Sequence, residues 1–549
     1  MSVAKRQILR QLRTTSKAAT HRIPAPIGGL NTRDALDAMP ETDAIILDNL
    51  FPQTSWVEVR SGRSTLATFT GNCETLMNYA ALSSGTNELF AAVNNGGVRS
   101  IFRADNAGGG AVGAAVVGGA GNTVQAITST RYDYVQFGTG SAEVLYLVNG
   151  ADAPLVWDGT TWYPIATTGT YALTGGPSPL SSLRLIAAYK QRLWFVQNGT
   201  FNVYYLPQND IGGALTLLNI APNFMLGGYI QTIITVSIDN TAGTNDYIAF
   251  ISNKGEVVMF QGYDPASAST WGVAARFRIG APIGIGRQTW QKMGMDAAII
   301  CEDGLILLSQ AMLTDRSQTR EALSDKIRFG LIQALQLNAG NPGWQLLLSP
   351  IGNKLILNVP TSSTFGTSYQ FVMNTLGANS WCTWGQYASP LNAFCWELFQ
   401  DQLYFGTNGS VQGMDQGQLA DGGNPIQWQA QCAYSYMDDP TNLKRFTQCQ
   451  PLFQTTGNLS VSVNLNIDFS TTQPSGSIPL SNGSTAPWGT SYWNVTYWTD
   501  ASQIVNKWTG LLGEGFCAGL NLRGNTSNLA VKWLSTIFMH EPGGTFYGK

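Results

Sequence analysis

Histidine occurs twice in 549 residues, at His21 and His540. A Ser-His-Asp or Cys-His centre and a multi-histidine metal site are therefore excluded from the long middle of the chain. Seven cysteines (Cys73, Cys301, Cys382, Cys395, Cys432, Cys449 and Cys517) form an odd set with no Cys-x-x-Cys pair. That pattern points to buried, reduced thiols and away from a zinc site or a disulfide framework. Carboxylates remain. Two of them about 5 to 9.5 Å apart suffice for glycoside hydrolysis, and Glu256, Asp264, Glu302 and Asp303 are the candidates. Each sits in or beside a hairpin turn, where acidic side chains are ordinary solvated residues.

Other motifs carry less. The stretch "VWDGTTW", Val156 to Trp162, resembles the Asp-box of sialidases but lacks one residue between Asp158 and Gly159 and occurs once. Gly28 and Gly29 have no GxxxxGK[ST] around them, and Gly280, Gly284 and Gly286 lack the strand-turn-helix setting of a dinucleotide loop. No cofactor is expected. Trp157, Trp162, Trp194, Trp271, Trp344, Trp381 and Trp384 recur at strand ends, which predicts core packing ahead of ligand stacking.

What positions these residues is read from composition and repetition. Charged residues are 12 % of the chain, aromatics 11 %, and glycines number 60. The charged share is about half the usual one, which describes a turn-rich all-β protein. A unit of apolar strand, Asn/Asp/Gly turn and second apolar strand recurs as "NELFAAVNNGGVRSIFRA", "EVLYLVNGADAPLVWDGTTWYPI", "QRLWFVQNGTFNVYYL", "DYIAFISNKGEVVMFQG", "DAAIICEDGLILLSQ", "NKLILNVP" with its return strand, and "DQLYFGTNGSVQGMDQG". The equivalent aliphatic residues are Leu89, Leu145, Leu193, Ile248, Ile299, Leu355 and Leu403, at intervals of 48 to 56 residues. One four-stranded blade per unit fits that spacing, so a β-propeller of six or seven blades is expected.

Residues 71–424 are assigned to this propeller. Within it "LSDKIRFGLIQALQLNAG" places Ile327, Leu331, Ile332 and Leu335 at helical spacing behind Ser324 as N-cap, which predicts one inserted helix. Residues 425–549 carry alternating strands, "IQWQAQCAYSYM", "NLSVSVNLNIDF" and "NLAVKWLSTIFMH", around the Trp- and Gly-rich "APWGTSYWNVTYW". They are expected to form a C-terminal β-sandwich-like domain, one of whose first strands is an alternative candidate for closing the ring.

Residues 1–70 form a basic N-terminal arm and docking segment. The first 22 residues hold Lys5, Arg6, Arg10, Arg13, Lys17 and Arg22 and no acidic residue. Removing these six leaves 25 basic against 34 acidic residues, about −9 for the body. The leader lacks the apolar core of a secretory signal, and no window is long and apolar enough for a membrane span. Ile8, Leu9 and Leu12 give the arm an apolar stripe. Gly28 and Gly29 behind it read as a flexible bend, since glycine accepts positive φ and close backbone approach.

The run "GGLNTRDALDAMPETDAIILDNLFPQTSWVEVRSGRSTLA", Gly28 to Ala67, resembles the N-terminal signature of tail proteins of short-tailed bacteriophages. It has a Gly-Gly-Leu-Asn start, an acidic turn, Asn49 with Phe51, and the Arg60-x-Gly62 finish. Looser patches through the body, and the closing "HEPGGTFYGK", are similar to the same proteins. The resemblance implies a nozzle-type tail tubular protein: a homohexameric ring below the portal and adaptor of the virion tail, made in the host cytoplasm. It further implies a lumen through which DNA is ejected with only transient contact, and fibres or spikes attached outside. Lys5, Arg6, Ile8, Leu9, Arg10, Leu12 and Arg13 would then dock on the adaptor or portal, and no catalytic or metal residue is expected. An acidic wall suits such a conduit, because like charge keeps phosphates from sticking. The alternative is a propeller glycosidase acting on host surface polysaccharide.

Overall fold

The computed structural model describes residues 18–81, 85–119, 124–140, 142–240, 243–284, 286–313, 322–364, 366–377, 379–472, 478–480 and 503–542. The docking residues Lys5 to Arg13 and the "APWGTSYWNVTYW" stretch lie outside the described residues. The chain divides into two compact units, one of residues 61–379 and 383–422, the other of residues 1–60, 380–382 and 423–549. The segment before residue 61 thus belongs with the C-terminal part of the chain.

The larger unit is a β-propeller. Its strands fall into successive antiparallel meanders: Asp133–Gly138 to Trp162–Pro164, Leu183–Tyr189 to Thr216–Asn219, and Ile230–Asn240 to Trp271–Arg278 have four strands each. Trp290–Met293, Asp296–Cys301 and Gly304–Leu307 make a three-stranded one, and Gln345–Ser349, Lys354–Pro360 and Ser368–Asn374 pair in the next. The first and last meanders share a strand. The first half of Arg63–Ala80 pairs with Asn408–Met414, and its second half pairs with Asn87–Asn95. This one 18-residue strand closes the ring. The first strands of consecutive meanders touch one another round most of the ring, and Ile230–Asn240 meets the next meander through the 3-10 turn Gly286–Thr289 and the strand Asp296–Cys301, as radial blades require.

Each blade is covered on both faces, which explains why its strands read as apolar runs with little alternation. In the strand Glu143–Val148, Leu145 and Leu147 pack with Phe90 and Trp157 toward the preceding blade. Val144, Tyr146 and Val148 pack with Phe195 toward the following one. Burying each such side chain contributes roughly 1.5 to 3 kcal/mol. Tyr146 meets Phe195 edge-on at 5.3 Å between ring centroids, and Trp194 stacks on Trp271 at 5.2 Å. The seven repeat residues, Leu89 to Leu403, occupy the second strand of seven successive meanders and are all at most 1 % exposed. The seven tryptophans expected in the core are buried as well.

Two-residue turns set several registers. Lys190 and Gln191 have φ of 48° and 57°, and Gln400 and Asp401 have 51° and 60°. These are mirror-type turns whose twist matches that of the flanking strands. The inserted helix spans Arg328–Asn338, preceded by a 3-10 turn at Asp325–Ile327. Ser324 does not cap it through its side chain; its Oγ accepts the N–H of Leu305 at 3.0 Å, and Ile327 occupies the N-cap position. A six-residue helix, Leu308–Leu313, also follows the fifth meander.

The smaller unit is a two-sheet β structure. One sheet pairs Lys444–Thr455 with Val531–Pro542 along their length, and Ala19–Pro24 pairs with Val531–Pro542 as well. The other contains Asp43–Asp48, Ile426–Cys432, Ala518–Thr526 and Leu459–Ile467. Trp428 of the second sheet and Phe453 of the first have ring centroids 6.2 Å apart, with Trp533 beyond. The strand Ile426–Cys432 therefore sits in this unit, and ring closure falls to Arg63–Ala80.

Candidate functional site

Five consecutive blades send polar or small residues to one end of the ring. Asp133 opens the first strand of one blade, with Arg131 and Tyr132 just ahead of it, and Arg184 lies in Leu183–Tyr189. Gln231 lies in Ile230–Asn240, Gln288 in the turn before Trp290–Met293, and Trp344 directly precedes Gln345–Ser349. Together they line a cavity of about 280 Å³. Residues from the inner strands of consecutive blades can converge only on the propeller axis, so this cavity is the mouth of the axial tunnel.

Farther along the same strands Gln136, Ile186, Ile233, Thr235, Trp290 and Lys292 line a second space of about 370 Å³. A third, of about 30 Å³, lies among Tyr134, Gln345 and Glu397. There the Tyr134 hydroxyl donates to Glu397 Oε2, joining two blades across the tunnel.

Side chains at the inner strands also bind several blades to their neighbours. Thr75 Oγ1 donates to Thr130 O at 2.8 Å, Asp133 Oδ2 accepts the N–H of Ile186 at 2.9 Å, and Thr232 Oγ1 donates to Gly286 O at 3.0 Å. Gln345 donates to Trp396 O and accepts from Trp396 N, both at 2.7 Å. These bonds fix the spacing of the inner strands and make the mouth a rigid, preformed site.

The electrostatics of the mouth are mixed. Glu74 is buried and takes Thr130 Oγ1 at 2.8 Å, with Arg131 Nε at 3.3 Å. Burial pushes the Arg184 guanidinium down from its ordinary value, with Asp133 opposing that shift. Gln231 gives its amide N–H to Gly284 O, and its Oε1 has no hydrogen-bond partner.

Of the four carboxylates considered from sequence, Glu256 and Asp264 are occupied locally. Glu256 accepts the N–H groups of Met225 and Leu226 at 3.0 and 2.9 Å. Asp264 accepts from Ala266 N at 3.2 Å and lies 3.8 Å from Arg192. Glu302 and Asp303 form the turn between Asp296–Cys301 and Gly304–Leu307, with Asp303 against Gly280. Asp158 closes its own turn by accepting from Thr160 N and Thr161 N at 2.8 and 2.7 Å. All seven cysteines are free and buried. Among the described residues no group of three or more His, Cys, Asp or Glu is arranged to hold a metal ion, and no helix is long and apolar enough to cross a membrane.

Gly28 and Gly29 lie in the smaller unit. Gly28 N–H bonds to Thr42 O at 2.8 Å, and Gly29 has φ +82° at the start of a short parallel pairing with Asp43. A Cβ on Gly29 would stand 2.6 Å from both the N and O of Trp381. Close backbone approach is what requires glycine there.

Sequence reasoning missed the axial residues. Their one signal is a polar residue at the head of an apolar run, as in "RYDYVQF", "LRLIAAY" and "YIQTIITV". Nothing in a single hairpin tells which of its two ends faces the axis.

The fold and site define a closed β-propeller with an axial cavity, in a chain that also carries a β-sandwich unit. No protein-family model and no curated protein sequence matches the chain. Among solved structures it is similar to YCF48 from Cyanidioschyzon merolae, at 12 % identity and a TM-score of 0.36, covering 64 % of this chain and 99 % of that one. It is similar to virginiamycin B lyase from Staphylococcus aureus at 10 % identity and 0.33, covering 63 % and 94 %. A glycoside hydrolase family 43 arabinoxylan arabinofuranohydrolase from Bacillus subtilis gives 10 % and 0.26, covering 87 % and 96 %. At these scores none of them carries an inference about what this chain does.

Proposed function

We propose that this chain is a structural protein of a short-tailed bacteriophage tail, one of six copies of a nozzle-type ring below the portal and adaptor. The observation that carries this reading is the stretch Gly28 to Ala67, whose signature residues do architectural work. Arg60 Nε donates to Asn49 Oδ1 at 2.7 Å, Phe51 is buried, and a Cβ on Gly62 would stand 2.1 Å from Ala420 O.

Exposed apolar side chains support assembly. Ile504, Trp508, Leu512 and Phe516 crowd one edge of the smaller unit, Leu512 at 85 % exposure, and Leu217, Met225 and Leu226 are exposed on the propeller. Such residues belong in protein interfaces, whose cores favour aromatic and aliphatic side chains over Lys, Glu and Asp. DNA would pass between copies. The axial cavities described above measure 30 to 370 Å³, and Tyr134 bonds to Glu397 across blades beside them, whereas the major groove of a duplex alone is about 12 Å wide.

Mass photometry of the full chain, alone and with a phage adaptor ring at physiological salt, tests the reading. Six-copy particles, formed alone or on the adaptor and lost on deleting residues 1–22, are expected. A persistent monomer that ignores the adaptor overturns it, and polysaccharide hydrolysis by that monomer, abolished in Glu302→Gln or Asp303→Asn, would establish the glycosidase alternative.

A further inference from the structure

We infer that the axial mouth of the propeller binds a small hydroxylated carboxylate of the sugar-acid class, with Arg184 holding the carboxylate and Gln231 accepting from a hydroxyl. The inference stands on the cavity and its unmet bonding capacity, and it does not depend on ring assembly.

Arg184 is half-buried, and its stem runs along Gly150, where a Cβ would stand 3.0 Å from its own Cβ. Among the described residues it makes no hydrogen bond or ion pair. The carboxylate of Asp133, which acts on it electrostatically, accepts the N–H of Ile186. A guanidinium has five N–H donors in a planar fork, and an oxyanion is the group that matches them.

Gln231 supplies the second requirement. The residue is 8 % exposed and lines the cavity, and its Nε2 is fixed on Gly284 O, which leaves the buried Oε1 behind the cavity wall without a donor. A buried carbonyl oxygen without a donor is costly, and a ligand hydroxyl that reaches it relieves that cost. Gln288, half-buried and without a hydrogen bond among the described residues, can donate or accept beside it.

Size and charge narrow the class. About 280 Å³ exceeds the roughly 30 Å³ share of one water several-fold, enough for a monosaccharide-sized molecule. Asp133 beside the two arginines disfavours a dianion such as phosphate, so a singly charged carboxylate is preferred. A free sugar acid and the acidic end unit of a polysaccharide present the same chemistry.

Calorimetric titration of the full chain with glucuronate, glucose and inorganic phosphate tests the assignment. Glucuronate is expected to bind at least tenfold more tightly than the other two, and Arg184→Met to weaken it at least tenfold. Arg276→Met, a surface arginine on Asn223, should bind as the parent does. Should Arg184→Met not fold, Gln288→Leu takes its place, with a several-fold loss expected. A glucuronate-ended disaccharide that binds as tightly as the free sugar assigns the polysaccharide end, and one that is excluded assigns the free acid. The inference is overturned by absence of glucuronate binding, by phosphate or glucose binding equally well, or by unchanged affinity in the folded variants.

Discussion

Arg60 and Asn49 form a buried clasp: the guanidinium Nε donates to Asn49 Oδ1 at 2.7 Å while Arg60 N–H bonds to Asn49 O at 3.1 Å. Asn49 holds φ at +58° and spends its own amide N–H on Gln427 O at 2.8 Å. An asparagine accepts this backbone better than most residues because its short polar side chain bonds locally. The clasp ties the early segment to the strand Ile426–Cys432, so two residues that read as a family signature are also a folding device.

Arg60→Met should therefore destabilise the chain by about 3 kcal/mol, the scale for breaking one partner of a buried, hydrogen-bonded charge. Asn49→Gly keeps the backbone conformation but removes both side-chain bonds, and should lose about 2 kcal/mol. Denaturant melts of both variants check the pair, and a loss under about 0.5 kcal/mol for Arg60→Met would deny the clasp its role.

Close packing at Gly62 gives a second expectation. A methyl group there meets Ala420 O at 2.1 Å, whereas at Gly96, with φ +58°, nothing lies within 4 Å. Gly62→Ala should lower stability well beyond the roughly 1 kcal/mol that a positive-φ strain alone costs at Gly96→Ala. Equal melting temperatures for the two variants would count against the packing described.

Thiol chemistry gives a third. All seven cysteines are buried; burial pushes Cys432 and Cys449 up to about 12 and raises Cys73, whose Sγ lies 3.8 Å from that of Cys395. Because the thiolate is the reactive form, a disulfide reagent at pH 8 should titrate no fast thiols in the native chain and seven in denaturant. Fast native reaction would place at least one sulfur at the surface.

Acid sensitivity follows from His540. Burial lowers its pKa, with Lys444 and His21 adding to the shift. The unfolded chain, titrating near 6.5, then binds the proton more readily than the folded one, so this contribution is full above about pH 6.5 and is lost as pH falls toward the folded value. His540→Phe should flatten the pH dependence of stability below 6.5. An unchanged slope would assign acid sensitivity to other groups.

The propeller was legible because a repeat samples the same environment many times. Leu89, Leu145 and their equivalents recur where second strands are buried on both sides, and seven copies outweigh the ambiguity of any one hairpin. The helix was legible from Leu331 and Leu335, both buried, but its cap was not, since Ser324 bonds to Leu305 across a loop that local spacing does not encode. The axial cavity was not legible at all: Arg131, Arg184 and Gln231 lie about 50 residues apart and meet only through ring closure. Likewise Gly29 needs glycine because of Trp381, more than 350 positions away along the chain.

The strand Arg63–Ala80 emerges early in synthesis, yet its partner Asn408–Met414 emerges hundreds of residues later; Ser61 and Asp415, which bond beside them, are 354 positions apart. Ala19–Pro24 waits longer still for Val531–Pro542. At about 5 to 20 residues per second, the first strand remains without its closing neighbour for tens of seconds, its edge open to pairing with another nascent chain. Contacts so distant in sequence make for slow folding. A chain truncated before Val531 therefore leaves the smaller unit without the partner of Ala19–Pro24, whereas the propeller has its closing strand once Asn408–Met414 has emerged.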